Sequence, residues 1–156
     1  MNTYRISKYS LQNKNKGALT KEEWTDYSDI GKTFDGRILN EKEYKQVENN
    51  YISCIVDILR QASVSSLVVK ELENYDHLHW KNNQCISLEF LPMIFRDCLR
   101  NKCWCKFETK DAYVHFGYDY YVYIGTVLPF ALIEKSCYEH KLFCNEQNSP
   151  YNNQAE

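Results

Sequence analysis

The feature that most constrains the fold is a run of three short segments with strand periodicity between residues 104 and 124. Residues 104–109, 112–116 and 120–124 follow the two-residue period of a β-strand, whereas the preceding part of the chain follows the helical period. Lys110-Asp111 and Gly117-Tyr118-Asp119 carry the turns, where Gly117 can take a positive φ and Asp119 can support an Asx-type turn. Three such strands in succession predict an antiparallel meander.

Two segments with helical periodicity come before this meander. The first begins after Asn40, a favourable N-cap, with Glu43 able to complete a capping box, and it ends near residues 60–63. The second begins after Ser87, because Pro92 is tolerated only near the start of a helix. Each helix has one apolar stripe: Tyr44, Val47, Tyr51, Ile55, Ile58 and Leu59 on the first, and Leu91, Ile94, Phe95, Cys98 and Leu99 on the second.

The remaining periodic segments are shorter. Residues 4–9 and 67–72 predict two further strands, Pro129 can open a short helix toward Cys137, and residues 141–145 predict a last strand. Residues 73–83 are predicted as a polar loop, and the chain from residue 147 as a loose C-terminal tail. Residues 1–156 therefore predict a single α+β domain, with an antiparallel β-sheet of about four to six strands and two main helices packed on one face.

Composition and charge limit the kinds of partner. A length of 156 residues fits one domain, and a hydrophobic fraction of 44% is too rich in core-forming side chains for a disordered protein. The formal net charge of −2 argues against DNA or RNA as the direct partner, since nucleic-acid binders usually carry a basic patch. The composition therefore predicts no nucleic-acid partner.

Cysteine usage and hydropathy bear on the compartment. No apolar run approaches the roughly 20 residues that span a bilayer, and the N-terminus lacks the basic-then-apolar pattern of a signal peptide. The 7 cysteines are an odd number scattered through apolar periodic segments, which is typical of reduced thiols used as small core residues. These features predict a cytoplasmic protein with no membrane partner.

Metal-binding and nucleophilic side chains occur in three places, and none of them completes a site. Cys103 and Cys105 point to the same face of a strand, but a structural zinc needs four ligands, usually from two clusters. His77 and His79 lie in a loop without a carboxylate–histidine pattern. His115 could lie near Cys103 or Cys105 across the hairpin, but nucleophilic catalysis also needs an orienting residue and an oxyanion hole. The sequence therefore predicts no catalytic residue, no metal site and no cofactor.

Tyrosine is concentrated in residues 113–125, in the last hairpin of the meander. The two-residue period places Tyr121 and Tyr123 on one face and Tyr120 on the other. One of these faces must pack under the helices. Because tyrosine supplies large, stiff and amphipathic contact area, the other face, around the Gly117-Tyr118-Asp119 turn, is a candidate binding surface.

Six short motifs are distributed over nearly the whole chain: YRISKY at 4–9, EWT at 23–25, SDIG at 28–31, WCK at 104–106, HFGYDYY at 115–121 and SPY at 149–151. The set resembles a family of small bacterial proteins that are often found as immunity proteins beside polymorphic or contact-dependent growth inhibition toxins. This resemblance implies a cytoplasmic inhibitor that binds the toxin domain of its own system. It also implies a binding protein rather than an enzyme.

Acidic side chains indicate where such a toxin would bind. Between residues 20 and 35, five carboxylates and two lysines leave a local charge of −3. Many such toxins are nucleases with cationic substrate-binding surfaces, so an acidic and aromatic face can speed association and block the active site. The candidate toxin-binding residues are Glu22, Glu23, Asp26, Asp29, Tyr118, Asp119 and Tyr120.

Two other classes of function stay open at this point. A small cytosolic hydrolase could use Cys105 or His115. A scaffold domain could self-associate, for example as a homodimer, through the aromatic edge of the sheet. A neighbouring gene for a large secreted toxin would support the immunity role, and a metabolic operon would favour the enzyme.

Overall fold

In the computed structural model of the chain, residues 1–10, 14–15, 18–19 and 22–152 are described, and they form a seven-stranded sheet, two short hairpins and three α-helices. In chain order the elements are β1 (Asn2–Ser7), β2 (Lys14–Asn15), β3 (Ala18–Leu19), β4 (Thr33–Phe34), β5 (Arg37–Ile38), α1 (Glu41–Gln61), β6 (Ser66–Asn74), β7 (Cys85–Ser87), α2 (Leu91–Leu99), β8 (Cys103–Glu108), β9 (Tyr113–Phe116), β10 (Val122–Thr126), α3 (Phe130–Glu139) and β11 (Phe143–Glu146). The large sheet has the strand order β11-β1-β10-β9-β8-β6-β7, and each neighbouring pair is antiparallel.

The first two helices lie where the sequence predicts them, because their signals are local. The Asn40 side chain caps α1 by accepting a hydrogen bond from the backbone N–H of Glu43 at 2.8 Å. Helix α2 begins at Leu91 and carries Pro92 in its first turn, where a missing N–H costs no helical hydrogen bond. Within the described parts of the chain, no helix combines the length and the apolar character needed to cross a bilayer.

The α+β class with an antiparallel sheet is confirmed, but the prediction of four to six strands and two helices is too low. The sequence does not reveal β7, whose three residues are too few to establish a period and which is formed by pairing Ile86 with Leu67 of β6. The third helix, α3, follows Pro129 and buries Ile133 and Cys137 in the same core as α1. Pairing with a distant strand produces β7, whereas α3 coincides with the short helix that Pro129 is predicted to open toward Cys137.

The two faces of the sheet bury different sets of side chains. The face under the helices contributes alternate strand residues to one core, among them Ile6, Phe107, Val114, Val122 and Ile124. The opposite face carries a separate cluster of tyrosines: Tyr9, Tyr113, Tyr121 and Tyr123. The predicted division of the tyrosine segment is therefore confirmed, since Tyr121 and Tyr123 lie on one face and Tyr120 lies in the helix-covered core.

The segment of residues 147–152 covers part of the tyrosine face. The backbone N–H of Gln147 donates to the carbonyl of Thr3 at 3.1 Å, and Ser149 is only 5% exposed. The Tyr151 ring packs against Trp104, with ring centroids 5.4 Å apart. This part of the predicted loose tail therefore lies against the sheet, and residues 153–156 lie outside the described residues.

Candidate functional site

The turn between β9 and β10 has an unusual backbone. Asp119 has φ 57° and Tyr120 has φ 63°, so two consecutive residues with side chains occupy the left-handed region. Gly117 is extended at φ −107°, and the expectation of a positive φ there is wrong. Glycine is favoured at this position for another reason, because a Cβ would lie 2.8 Å from Cε2 of the Tyr123 ring.

Buried tyrosine hydroxyls hold this turn in place. The Tyr9 hydroxyl lies 2.7 Å from the carbonyl oxygen of Asp119, and the Tyr51 hydroxyl donates to the carbonyl of Tyr120 at 2.9 Å. The Tyr44 and Tyr120 hydroxyls lie 2.9 Å apart. A left-handed residue other than glycine costs on the order of 1–3 kcal/mol, so these contacts are needed to maintain the conformation.

The consequence of this backbone is that Tyr118 projects from the molecule. Its side chain is 84% exposed, and Asp119 next to it is also exposed. Tyr118 belongs to the walls of two adjacent cavities, of about 340 and 300 Å³. Asp26 and Asp119 line the first cavity, and Glu73 and Tyr75 line the second.

We call these five residues, Asp26, Glu73, Tyr75, Tyr118 and Asp119, the Tyr118 surface. Among the described residues, the walls of the two cavities contain three carboxylates and no lysine, arginine or histidine. The 59% exposed ring of Tyr75 lies beside Glu73, whose Oε1 accepts a hydrogen bond from the Tyr75 hydroxyl at 3.1 Å. The surface is therefore aromatic and acidic.

Asp26 is the one residue of the predicted acidic stretch that joins this surface. Its carboxylate caps the short 3₁₀ turn at Tyr27–Asp29 by accepting from the Ser28 backbone N–H at 3.0 Å, and it also accepts from the Asn101 amide. Burial acts to raise its pKa, but hydrogen bonds from Ser28 and Asn101 outweigh burial and lower the pKa below its ordinary value. Asp26 therefore stays charged at neutral pH.

The other three acidic candidates lie elsewhere. Asp29 accepts from the Thr25 backbone N–H at 2.9 Å and from Lys32 Nζ at 3.2 Å. Its carboxylate therefore stabilises the loop in which Asp29 itself lies. Glu22 and Glu23 line a different cavity of about 460 Å³, whose walls also carry basic side chains. Lys8 is one of these, with its Nζ 3.6 Å from Glu23.

Tyr120 is a core residue and not a surface contact. Its side chain is 5% exposed, and its ring packs edge-to-face on the rings of Trp24, Tyr44 and Tyr51. Glu73 and Tyr75, in contrast, are not among the predicted binding residues, because they lie at the start of a segment predicted as a polar loop. Tyr75, a large aromatic residue in a mostly polar segment, is the signal that indicates this surface.

The cysteine and histidine candidates for chemistry lie on opposite faces of the sheet. Cys103 and Cys105 lie in the helix-covered core, whereas His115 is buried on the opposite face, so they do not form a Cys/His pair. His115 Nδ1 lies 2.7 Å from Ser149 Oγ, and its Nε2 lies 3.1 Å from Glu108 Oε1. No group of three or more His, Cys, Asp or Glu side chains in the described ranges could hold a metal ion.

The burial of His115 predicts a pH dependence of stability. Burial lowers the pKa of His115 from its ordinary value of 6.5, while Glu108 and Glu71 partly oppose the shift and Lys106 adds to it. As the pH falls through 6.5, His115 in the unfolded chain takes up a proton more readily than in the folded chain. The contribution of His115 to the free energy of unfolding is therefore fully present well above pH 6.5, and it decreases as the pH falls toward the folded-state pKa. Urea unfolding at pH 7.5, 6.5 and 5.5 measures this slope.

A pair of histidine variants isolates the contribution of this residue. We expect His115→Gln to flatten the dependence of unfolding free energy on pH, and the exposed His77→Gln to preserve it. A slope in His115→Gln equal to that of the wild type would contradict the assignment.

The Tyr118 surface combines a projecting tyrosine ring, tyrosine hydroxyls and three carboxylates. No family model, curated protein or solved structure matches the chain in comparisons with known proteins. The physical properties of this surface are therefore the basis on which a function can be proposed.

Proposed function

We propose that the protein is a bacterial immunity protein that binds the toxin domain of its own system in the cytoplasm and neutralises it in a stoichiometric complex. The observation that carries this proposal is the Tyr118 surface, where a ring that is 84% exposed projects among three carboxylates. The motif resemblance to immunity proteins supports the same role. In this proposal the protein acts by binding and performs no chemistry.

Tyrosine presented on a rigid turn is favourable for tight binding. Interface hot spots are enriched in tyrosine, and a side chain whose backbone is already ordered loses less entropy on association. The hydroxyls of Tyr9 and Tyr51 order the backbone on both residues that follow Tyr118. The buried network under the turn therefore supports affinity at its tip.

The charge of the surface favours a cationic protein as the partner. In the described part of the chain the three carboxylates have no basic neighbour in the cavity walls, so they attract a basic surface and repel phosphate groups. A nuclease toxin has such a basic surface where its substrate binds, and a bound acidic protein would occlude it. We therefore propose a nuclease as the class of toxin.

Co-expression with the toxin domain encoded beside this gene tests the proposal. We expect growth to be restored and the two proteins to co-purify at a fixed ratio. Tyr118→Ala is expected to weaken the complex by about 2 kcal/mol, or about 30-fold in Kd. Tyr138→Ala is a matched control, because Tyr138 is also 84% exposed but lies on α3.

Two results would count against the immunity role. The absence of both a complex and growth protection would overturn it. Cys105→Ser is expected to preserve protection, because Cys105 is fully buried in the helix-covered core. Loss of protection by a folded Cys105→Ser protein would instead indicate chemistry.

A further inference from the structure

The cavity on the β6 side of Tyr118 differs from the rest of the Tyr118 surface because five of its nine lining residues are aromatic, one of them Phe116 of the helix-covered core. Tyr75, Trp104, Tyr118 and Tyr151 contribute four aromatic side chains, and Glu73 contributes one carboxylate. The cavity has a volume of about 300 Å³. We call these five residues the aromatic cage.

Hydrogen bonds order two walls of the cage in the free protein. Trp104 Nε1 donates to the carbonyl of Phe116 at 2.9 Å, which orients the indole. The backbone N–H of Tyr151 donates to Ser149 Oγ at 3.1 Å, and the same oxygen lies 2.7 Å from His115 Nδ1. The buried His115–Ser149 contact therefore holds the C-terminal segment where Tyr151 meets Trp104.

The chemistry of the cage selects a cation. Aromatic faces attract positive charge through their quadrupole, and a carboxylate at the rim adds a direct counter-ion. An anion would be repelled by Glu73, and an uncharged apolar group would make no use of it. Of the protein cations, the planar guanidinium of arginine both stacks on aromatic rings and pairs with a carboxylate through two hydrogen bonds.

We propose that the aromatic cage accepts one arginine side chain of the protein partner. The proposal rests on the proposed function in naming a protein as the source of the cation. In the complex, the guanidinium would stack among the cage rings, Tyr118 included, and hydrogen-bond to Glu73.

A titration of the full chain with N-acetyl-arginine amide tests the cage. The indole N–H resonance of Trp104 is the probe, and Trp24 and Trp80, which are buried outside the cage, are internal references. We expect a saturable shift of the Trp104 resonance alone. N-acetyl-citrulline amide has nearly the same shape without the charge, and its binding is expected to be at least about tenfold weaker.

Two exposed cage residues can be replaced with little risk to the fold. Glu73→Gln and Tyr75→Ala are each expected to weaken arginine-amide binding by about tenfold. Glu89→Gln and Tyr138→Ala are the controls, since these exposed residues lie outside the cage and are expected to leave binding unchanged. The cage is overturned if no saturable shift occurs, if citrulline and arginine amides bind equally, or if Glu73→Gln binds as the wild type does.

The titration contains no toxin, so the two proposals fail separately. A saturable arginine response in a protein that forms no toxin complex would reject the immunity role and support the cage. A toxin complex in a protein without an arginine response would support the immunity role and reject the cage.

Discussion

Replacing Glu48 with glutamine is expected to lower the free energy of unfolding by about 3 kcal/mol. Glu48 lies on α1 with its side chain 1% exposed, and it is the shared acceptor of two arginines from the α2 region. Arg100 donates to both of its oxygens at 2.9 Å, and Arg96 Nε donates at 3.1 Å. The Tyr44 hydroxyl donates to the same carboxylate at 2.7 Å.

The large expected effect follows from what the substitution leaves behind. A neutral amide cannot balance the charge of Arg100, whose side chain is only 20% exposed. Removing one partner of a buried ion pair is costly because the remaining charge stays poorly solvated. The loss also reaches the candidate site, since the Tyr44 hydroxyl links Glu48 to Tyr120 under the turn.

Urea unfolding at pH 7 measures this effect, and Glu41→Gln on the same helix is the matched control. Glu41 is exposed and pairs with Lys45 at 2.8 Å, so its replacement is expected to change the free energy of unfolding far less than Glu48→Gln does. A decrease below about 1 kcal/mol for Glu48→Gln would contradict the importance of the buried carboxylate.

Tyr51→Phe is expected to lower the free energy of unfolding by about 2–3 kcal/mol, although only one oxygen atom is removed. The hydroxyl of this fully buried residue accepts from the backbone N–H of Lys8 at 2.5 Å and donates to the carbonyl of Tyr120 at 2.9 Å. Its removal leaves the backbone N–H of Lys8 and the carbonyl of Tyr120 without this partner. Each polar group that is left unsatisfied in the interior costs about 1–3 kcal/mol.

The same substitution is expected to affect function, because the carbonyl of Tyr120 belongs to the left-handed turn that presents Tyr118. We expect weaker toxin binding by the folded Tyr51→Phe protein and faster hydrogen exchange of the Lys8 amide. Tyr138→Phe removes a hydroxyl from a side chain that is 84% exposed, and it is expected to change neither stability nor binding. Equal stability of Tyr51→Phe and the wild type would show that the hydroxyl does not hold the turn.

Local signals in the sequence predict local structure well in this chain. The N-cap at Asn40 and the apolar stripe of α1 depend on neighbours within a few residues, and α1 ends at Gln61, inside the predicted range. The three strands of the meander follow from their two-residue period. The third of these strands begins at Val122 rather than Tyr120, so the left-handed turn, and not the strand period, directs Tyr120 into the core.

Relations between distant segments could not be predicted from these signals. β1 pairs with β10 and β11, which lie more than a hundred positions further along the chain, and nothing in its local pattern names those partners. The local pattern also does not predict that the tyrosine face of the sheet is buried. Tyr113, Tyr121 and Tyr123 are each less than 10% exposed, because Tyr9 and the C-terminal segment pack over them.

The candidate site likewise has some features that adjacent residues predict and others that depend on distant segments. The sequence by itself determined that an aromatic and acidic turn lies at Gly117-Tyr118-Asp119, since turn chemistry and tyrosine content are properties of adjacent residues. Only the tertiary structure decided which side chains surround that turn. It places Asp26, Glu73 and Tyr75 there and withdraws Tyr120 into the core, because long-range strand pairing and burial determine which distant residues meet.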